Sequence, residues 1–387
     1  MARRTSGAIA HLIDHDYAAA ITLGMGALTA IAWSGFDGES YQRAMTWWPS
    51  SLSTGVLRSW RDFVGTGLMT IFFFGIGLEL VRERHHGSLR QSRHALAPIL
   101  AAMGGMIGPA LIVLVIGRAS NVTSLTHAWG VPMATDIAFS LAILSLAGST
   151  AVAGLRPFLL TLAITDDVLS VAILAGTGVG PVSVWALLTT AALASLAALT
   201  SHRLTSTSAR VALVAILWLS LARAGVEPPL AGILGALVVP FDAHRSIRLE
   251  RAVTRLAVVL VLPLFALSFC GVDWTGVSSR TSLVIIGVIV LARLVGKSAG
   301  ISTGVALARR LGAHVPRSAT GLALLGASVL CAIGLTVPLL FAGRLFRPSG
   351  PTYAALDLGL IAASVLAAAL GVVLLRSSNH RSPKEAG

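Results

Sequence analysis

Runs of about 17 to 25 mostly apolar residues recur along nearly the whole chain, divided by short polar stretches that hold most of its arginines. A helix rises about 1.5 Å per residue, so roughly 20 such residues cross the ~30 Å hydrocarbon core of a bilayer. The pattern predicts about twelve spans, over 17–33, 62–81, 95–116, 126–147, 157–175, 182–200, 209–223, 226–241, 256–272, 282–306, 319–343 and 353–375. The seventh and eighth are short and flank 224–229, so their ends are the least sharply marked. The fold class expected is an all-α integral membrane protein.

Composition agrees with the pattern. The 387 residues are 55% hydrophobic and only 12% charged, and the mean hydropathy is +0.83, values outside the soluble globular range. A formal net charge of +13 would point to nucleic acid in a soluble domain. In a membrane protein it instead reports loop bias, because Lys and Arg collect on the cytoplasmic side. With both ends taken as cytoplasmic, the termini and even-numbered loops hold 19 basic residues against 8 in the opposite loops. The expected organisation is one transmembrane domain over 1–387, with a short N-terminus at about 1–16 and a tail at about 377–387, both cytoplasmic. The basic start resembles a signal peptide, but Asp14 and Asp16 interrupt it and no small-residue cleavage site follows, so it reads as part of a retained first span. No loop is long enough for a soluble domain; the longest, about 34–61, carries Trp47 and Trp48, suited to a headgroup-level anchor. Cys270 and Cys331 lie in apolar runs without metal-ligand spacing and read as small buried residues, not a disulfide.

Against this background the ionisable residues inside spans stand out. Pro157 to Ala175 carries Asp166 and Asp167 side by side at its middle. A carboxylate at the centre of a spanning helix costs roughly 2.5–3.5 kcal/mol on insertion scales, and such residues mark ion or proton pathways. Glu79, Asp136, Arg293 and Lys297 also fall at depth, with Asp62, Glu83 and Glu227 nearer the interfaces. Lys297 is notable because the only other lysine is Lys384. A buried lysine can lose its proton, whereas arginine stays charged. Lys297 therefore reads as a group that titrates, or as the partner of Asp166 in an ion pair joining two helices.

Asp136 follows Gly130 and Pro132, and a second span contains Gly326, Gly334 and Pro338. Interrupted helices at membrane depth occur where protein or a cavity satisfies the freed backbone, and paired interruptions point to a transporter site. Each helix end there presents about half a charge. Asp136 is suited to neutralise facing N-termini and Lys297 facing C-termini. Gly104, Gly105 and Gly108 read instead as small residues for close helix packing. Neighbouring residues on a helix point about 100° apart, so Asp166 and Asp167 cannot do the same job. Carboxylate oxygens suit hard cations such as Na+, and two nearby carboxylates raise one another's proton affinity. Protons and a cation then compete for one set of oxygens.

FFFGIGLELVRE (72–83), AAMGGMIGPAL (101–111), VPMATDIAFSLAILSLAG (131–148), LAITDDVLSVAILA (162–175), PLAGILGALVVP (229–240), LVLPLFA (260–266) and LVGKSAGI (294–301) together resemble the NhaA family of bacterial sodium/proton antiporters over nearly the whole chain. The resemblance implies inverted repeats and two broken helices crossing at mid-membrane. It implies secondary active export of Na+, and of Li+, in exchange for H+ at the bacterial inner membrane, electrogenic with two H+ per Na+, and no enzymatic activity or cofactor. By the same resemblance Asp167 is the principal Na+-binding carboxylate, and Asp166 beside it forms or exchanges a salt bridge with Lys297. Asp136 and Thr135 stand at the crossing of the unwound helices. Glu79, Arg82, Glu83 and Glu250 match positions of pH-dependent regulation, although the residues alone would read Glu83 and Glu250 as solvated charge. A homodimer in the lipid bilayer is implied, and no nucleic-acid partner.

The chain also departs from the family pattern. Glu227 stands in GVEPPLAG where a histidine is frequent, and Thr66 where an acidic residue is usual. LSFCGV (267–272) replaces a segment with asparagine, and GLTVP (334–338) replaces GFTMS at the second interruption. Arg293, one turn before Lys297, occupies an expected apolar position and is suited to compete for Asp166. Three other readings fit the residues less well. An intramembrane aspartyl protease would pair YD with GxGD, whereas the contexts here are ATD and ITDD. An ion-coupled carrier of an organic solute would need a larger polar lining set than these spans offer. A membrane scaffold held by ion pairs would leave the interrupted spans without a purpose.

Overall fold

The computed structural model of the chain describes residues 21–52, 56–86, 92–146, 150–176, 183–199, 206–238, 243–272, 277–316, 321–348 and 350–381. Among these there is no strand. The helices in order are α1 (Ile21–Phe36), α2 (Gly38–Thr46), α3 (Trp60–His85), α4 (Ser92–Ala119), α5 (Thr123–His127), α6 (Ile137–Leu146), α7 (Thr150–Gly176) and α8 (Val184–Leu199). They continue as α9 (Thr207–Ala224), α10 (Leu230–Val238), α11 (residues 243–269), α12 (Arg280–Arg310), α13 (Gly321–Leu330), α14 (Thr336–Leu345) and α15 (Pro351–Arg381). Five helical stretches among the described residues are long and apolar enough to cross a bilayer: Trp60–His85, Ala95–Ala119, Ile247–Phe269, Arg280–Arg310 and Pro351–Ser378. On α4, Met103, Ile107, Leu111 and Val115 form an exposed apolar stripe at i, i+4 spacing. In a multi-pass membrane protein such a stripe meets hydrocarbon instead of water. The first residues of the 17–33 run, the N-terminal stretch 1–16 and the tail beyond 381 lie outside the described residues.

The described residues within 86–170 and 272–387 form one compact unit, and those within 21–85 and 171–271 form another. In the first unit α4 and α12 meet backbone to backbone. A Cβ on Gly104 would run into the Gly300 carbonyl, one on Gly108 into that of Gly296, and one on Gly304 into that of Leu100. Close approach of this kind replaces the hydrophobic drive that lipid cannot supply between helices. Ala97, Ala101, Leu155, Leu162, Ile301, Val305 and Ala327 pack beside this contact. The stretches 128–136 ahead of α6 and 331–335 between α13 and α14 are not helical.

In the second unit α3 and α11 each include a π-helical stretch, Phe63–Leu68 and Ala257–Val261. Side chains take up carbonyls there: Trp218 Nε1 donates to Thr66 O at 2.8 Å, and Thr22 Oγ1 to Val258 O at 2.8 Å. α10 packs on α3 through Gly232, whose missing Cβ leaves room for the Thr70 carbonyl and Phe74 N. The stretch expected to be a plain loop, 34–61, contains α2. Asp37 caps that helix by accepting from Ser40 N at 2.9 Å, and this backbone bond holds its carboxyl below the usual carboxylate range. Tyr41, fully buried, donates from its hydroxyl to Leu267 O at 2.9 Å, which ties α2 to α11. The sequence hid this because α2 is short and polar on one face, without the apolar length of a span.

Candidate functional site

The charged centre of the first unit begins with a π-helical stretch in α12, Ala292–Lys297. Such stretches are rare and cluster at functional positions. Arg293 and Lys297, four residues apart and so on one face, are both fully buried. Lys297 Nζ donates to Asp166 Oδ2 at 2.8 Å and also to Met133 O. Arg293 Nε donates to Ala332 O at 2.7 Å and Arg293 Nη2 to Ala134 O at 3.0 Å. Each cation thus serves backbone oxygens of the non-helical stretches, where carbonyls have no helical partner.

Asp136 serves the opposite polarity. Its Oδ2 accepts from Leu335 N at 2.6 Å, Thr336 N lies 3.3 Å from both carboxylate oxygens, and Thr336 Oγ1 donates to Oδ1. These are the orphan donors at the start of α14, so the carboxylate caps that helix across the gap. The two non-helical stretches are also joined directly, by Asp136 N donating to Ile333 O at 2.9 Å. Ser140 Oγ adds a bond to Leu330 O at 2.8 Å. From α15, Ser364 Oγ accepts from Gly334 N at 3.2 Å.

Thr135 Oγ1 lies 2.8 Å from Asp166 Oδ2 and 2.8 Å from Cys331 O. A hydroxyl has one proton to give, so it bonds one of them at a time. Asp166 Oδ2 thus has Lys297 as a donor and Thr135 within donating distance, while buried Asp166 Oδ1 has no hydrogen-bond partner among the described residues. Asp167, the next residue of α7, is 2% exposed, and Ser170 one turn on is also buried. Thr135, Asp166 and Lys297 are thus brought together by direct bonds, with Asp136 and Asp167 adjoining through the chain. Both cysteines are buried, and neither is in a disulfide.

The other candidate residues sit in the second unit. Arg82 Nε donates to Glu250 Oε1 at 3.0 Å, and Arg82 Nη2 lies 3.4 Å from Glu79 Oε1. Glu83, expected from the residues alone to be solvated, is 7% exposed.

Residues 10–375 match the family model described as "Na+/H+ antiporter 1". The "Na(+)/H(+) antiporter NhaA" of Yersinia pestis bv. Antiqua (strain Angola) is 37% identical over 325 residues, covering 81% of this chain and 81% of that protein. The protein of the same name from Serratia proteamaculans (strain 568) is 36% identical over 328 residues, covering 82% and 84%. The chain belongs to the NhaA family of Na+/H+ antiporters. Its NhaA relatives carry the name of transporters, not of enzymes.

Two features of this NhaA-family site were not anticipated in the sequence. Arg293, expected to compete for Asp166, gives its bonds to the carbonyls of Ala134 and Ala332 instead. The reason is geometric, because both carbonyls lie in non-helical stretches whose folding together the sequence does not display. Asp357 is a further carboxylate, fully buried on α15. Its signal was an aspartate inside the 353–375 apolar run, and it belonged with the other ionisable residues at depth.

Proposed function

We propose that the chain is a secondary active antiporter that exports Na+, and Li+ as well, in exchange for H+. The reading is carried by Asp166: one oxygen has Lys297 as a donor and Thr135 within donating distance, the other accepts no bond among the described residues, and a second buried carboxylate follows at once. Oxygens of that kind suit a hard monovalent cation and equally suit protons. Asp167 is the principal Na+ ligand. Asp166 exchanges Lys297 for the ion, and Thr135 turns its hydroxyl between Asp166 and Cys331 O as the carboxylate changes partner. Na+ enters when both aspartates have released their protons, so two H+ return per Na+ and one net charge crosses in each cycle.

The wider architecture that fits this cycle is a single antiporter domain of about twelve spans. It is built of inverted repeats, with the stretches around 128–136 and 331–335 forming the broken helices at mid-membrane. The loop charge bias supports cytoplasmic termini. Glu79, Arg82, Glu83 and Glu250 tune activity with pH, and the protein works as a homodimer in the bacterial inner membrane. Everted vesicles carrying a pH-gradient dye test the core of the reading. Added Na+ moves protons through the wild type and not through Asp167→Asn; proton movement that persists in Asp167→Asn refutes the assignment, and a cycle indifferent to membrane potential refutes the stoichiometry.

A further inference from the structure

Arg293 is a fully buried, permanently charged group that the exchange cycle just described does not use. It spans the two non-helical stretches, with Nε on Ala332 O and Nη2 on Ala134 O. Gly334 is shaped to admit it, since a Cβ there would collide with Nη2. The third nitrogen, Nη1, is buried with no hydrogen-bond partner among the described residues. An unmatched guanidinium N–H at depth is costly and calls for a reason beyond bonding the two carbonyls. Its surroundings supply one. Asp136 ahead of α6, Asp166 on α7 and Cys331 between α13 and α14 all lie within electrostatic reach of the guanidinium, and Lys297 is one turn on in α12. From α15 the polar group at this level is Ser364, bonded to Gly334 N, with Asp357 two turns away.

Lys297 gives its charge to Asp166 and can in principle be released by it. Arg293 cannot be released in that way: its fork is engaged by backbone, and it does not deprotonate. We propose that Arg293 is the positioning residue of the ion site, a fixed positive charge that locks the two non-helical stretches together and lowers the affinity of the carboxylates for Na+. This rests on the Na+/H+ reading above. The fixed charge keeps the site from holding its ion too tightly to release it. Two unit charges several ångströms apart in a protein interior change an affinity by about tenfold or more.

The sign of the effect separates this from a structural role, because a merely damaged site binds Na+ more weakly. In everted vesicles at pH 8.5, Arg293→Gln lowers the KM for Na+ by about tenfold. Arg293→Lys, which keeps the charge, stays within about twofold of wild type in KM while losing thermal stability. Should the glutamine variant fail to accumulate, Arg293→His carries the test, since its imidazole is neutral at pH 8.5 and must show the same lowered KM. A KM unchanged or raised in the neutral variant, or lowered equally in Arg293→Lys, overturns the proposal while leaving the exchange reading intact. A wild type whose vesicles do not respond to Na+ overturns the exchange reading and this inference with it.

Discussion

Lys297 Nζ and Asp166 Oδ2 stand 2.8 Å apart, with both side chains out of contact with solvent. Removing one member of such a pair strands the other, at about 3–5 kcal/mol, whereas removing both is often nearly neutral. Lys297→Met and Asp166→Asn should each lower the Tm of the purified protein markedly, and the double variant should recover most of that loss. Additive losses would mean that the pair is not coupled as its geometry requires.

Asp136 caps α14 across the gap between the two non-helical stretches. Asp136→Asn keeps the shape but loses a charge-assisted acceptor, at about 1–3 kcal/mol. Amide exchange should accelerate at Leu335 and Thr336 while α4 remains protected. Thr336→Val, which removes only the hydroxyl bond, should show a smaller effect at the same positions.

The contact between α4 and α12 leaves no room for a methyl group at Gly104 or Gly300, where a Cβ would meet the opposing carbonyl. Gly104→Ala and Gly300→Ala should each cost about 1–3 kcal/mol by overpacking, seen as lower Tm and yield. Gly287 has open space at its Cβ position, so Gly287→Ala should be neutral or slightly stabilising and serves as the control.

Arg82 bonds Glu250 and lies near Glu79 in a partly exposed setting, with 35% of its side chain accessible. Pairs of this kind are worth about 0–1 kcal/mol. Arg82→Gln should therefore barely move Tm. If the cluster tunes activity, the same variant should shift the pH profile of Na+-driven proton movement, and an unshifted profile removes this cluster from regulation.

Asp37, outside the spans, is a carboxylate whose cap bond lowers its proton affinity. Because its folded value lies below its unfolded one, the cap's contribution is present above the unfolded value of about 4 and is lost as pH falls through the folded one. Exchange protection in α2 should decline below about pH 4 in wild type and be low at every pH in Asp37→Ala.

The apolar run length made the membrane class legible, since nothing else explains so many segments near 20 residues with their charges confined to the gaps. It made the candidate charges legible too: Asp136, Asp166, Asp167 and Lys297 were conspicuous because a charge at that depth needs a reason. Helix α2 was missed for want of a long apolar run, and Asp357 because it lacked a neighbouring charge or helix breaker to mark it.

Which residues are charged, and at what depth along the chain, follows from one-dimensional pattern, because lipid solvation penalises each residue by itself. Which carbonyl each cation satisfies does not. Ala134 and Ala332 lie 198 positions apart in the sequence, and only the packing of two non-helical stretches under α12 puts both oxygens within reach of Arg293. A hydrogen bond is decided by fractions of an ångström, and the side-chain pattern of a helical run carries no information at that scale about a distant backbone.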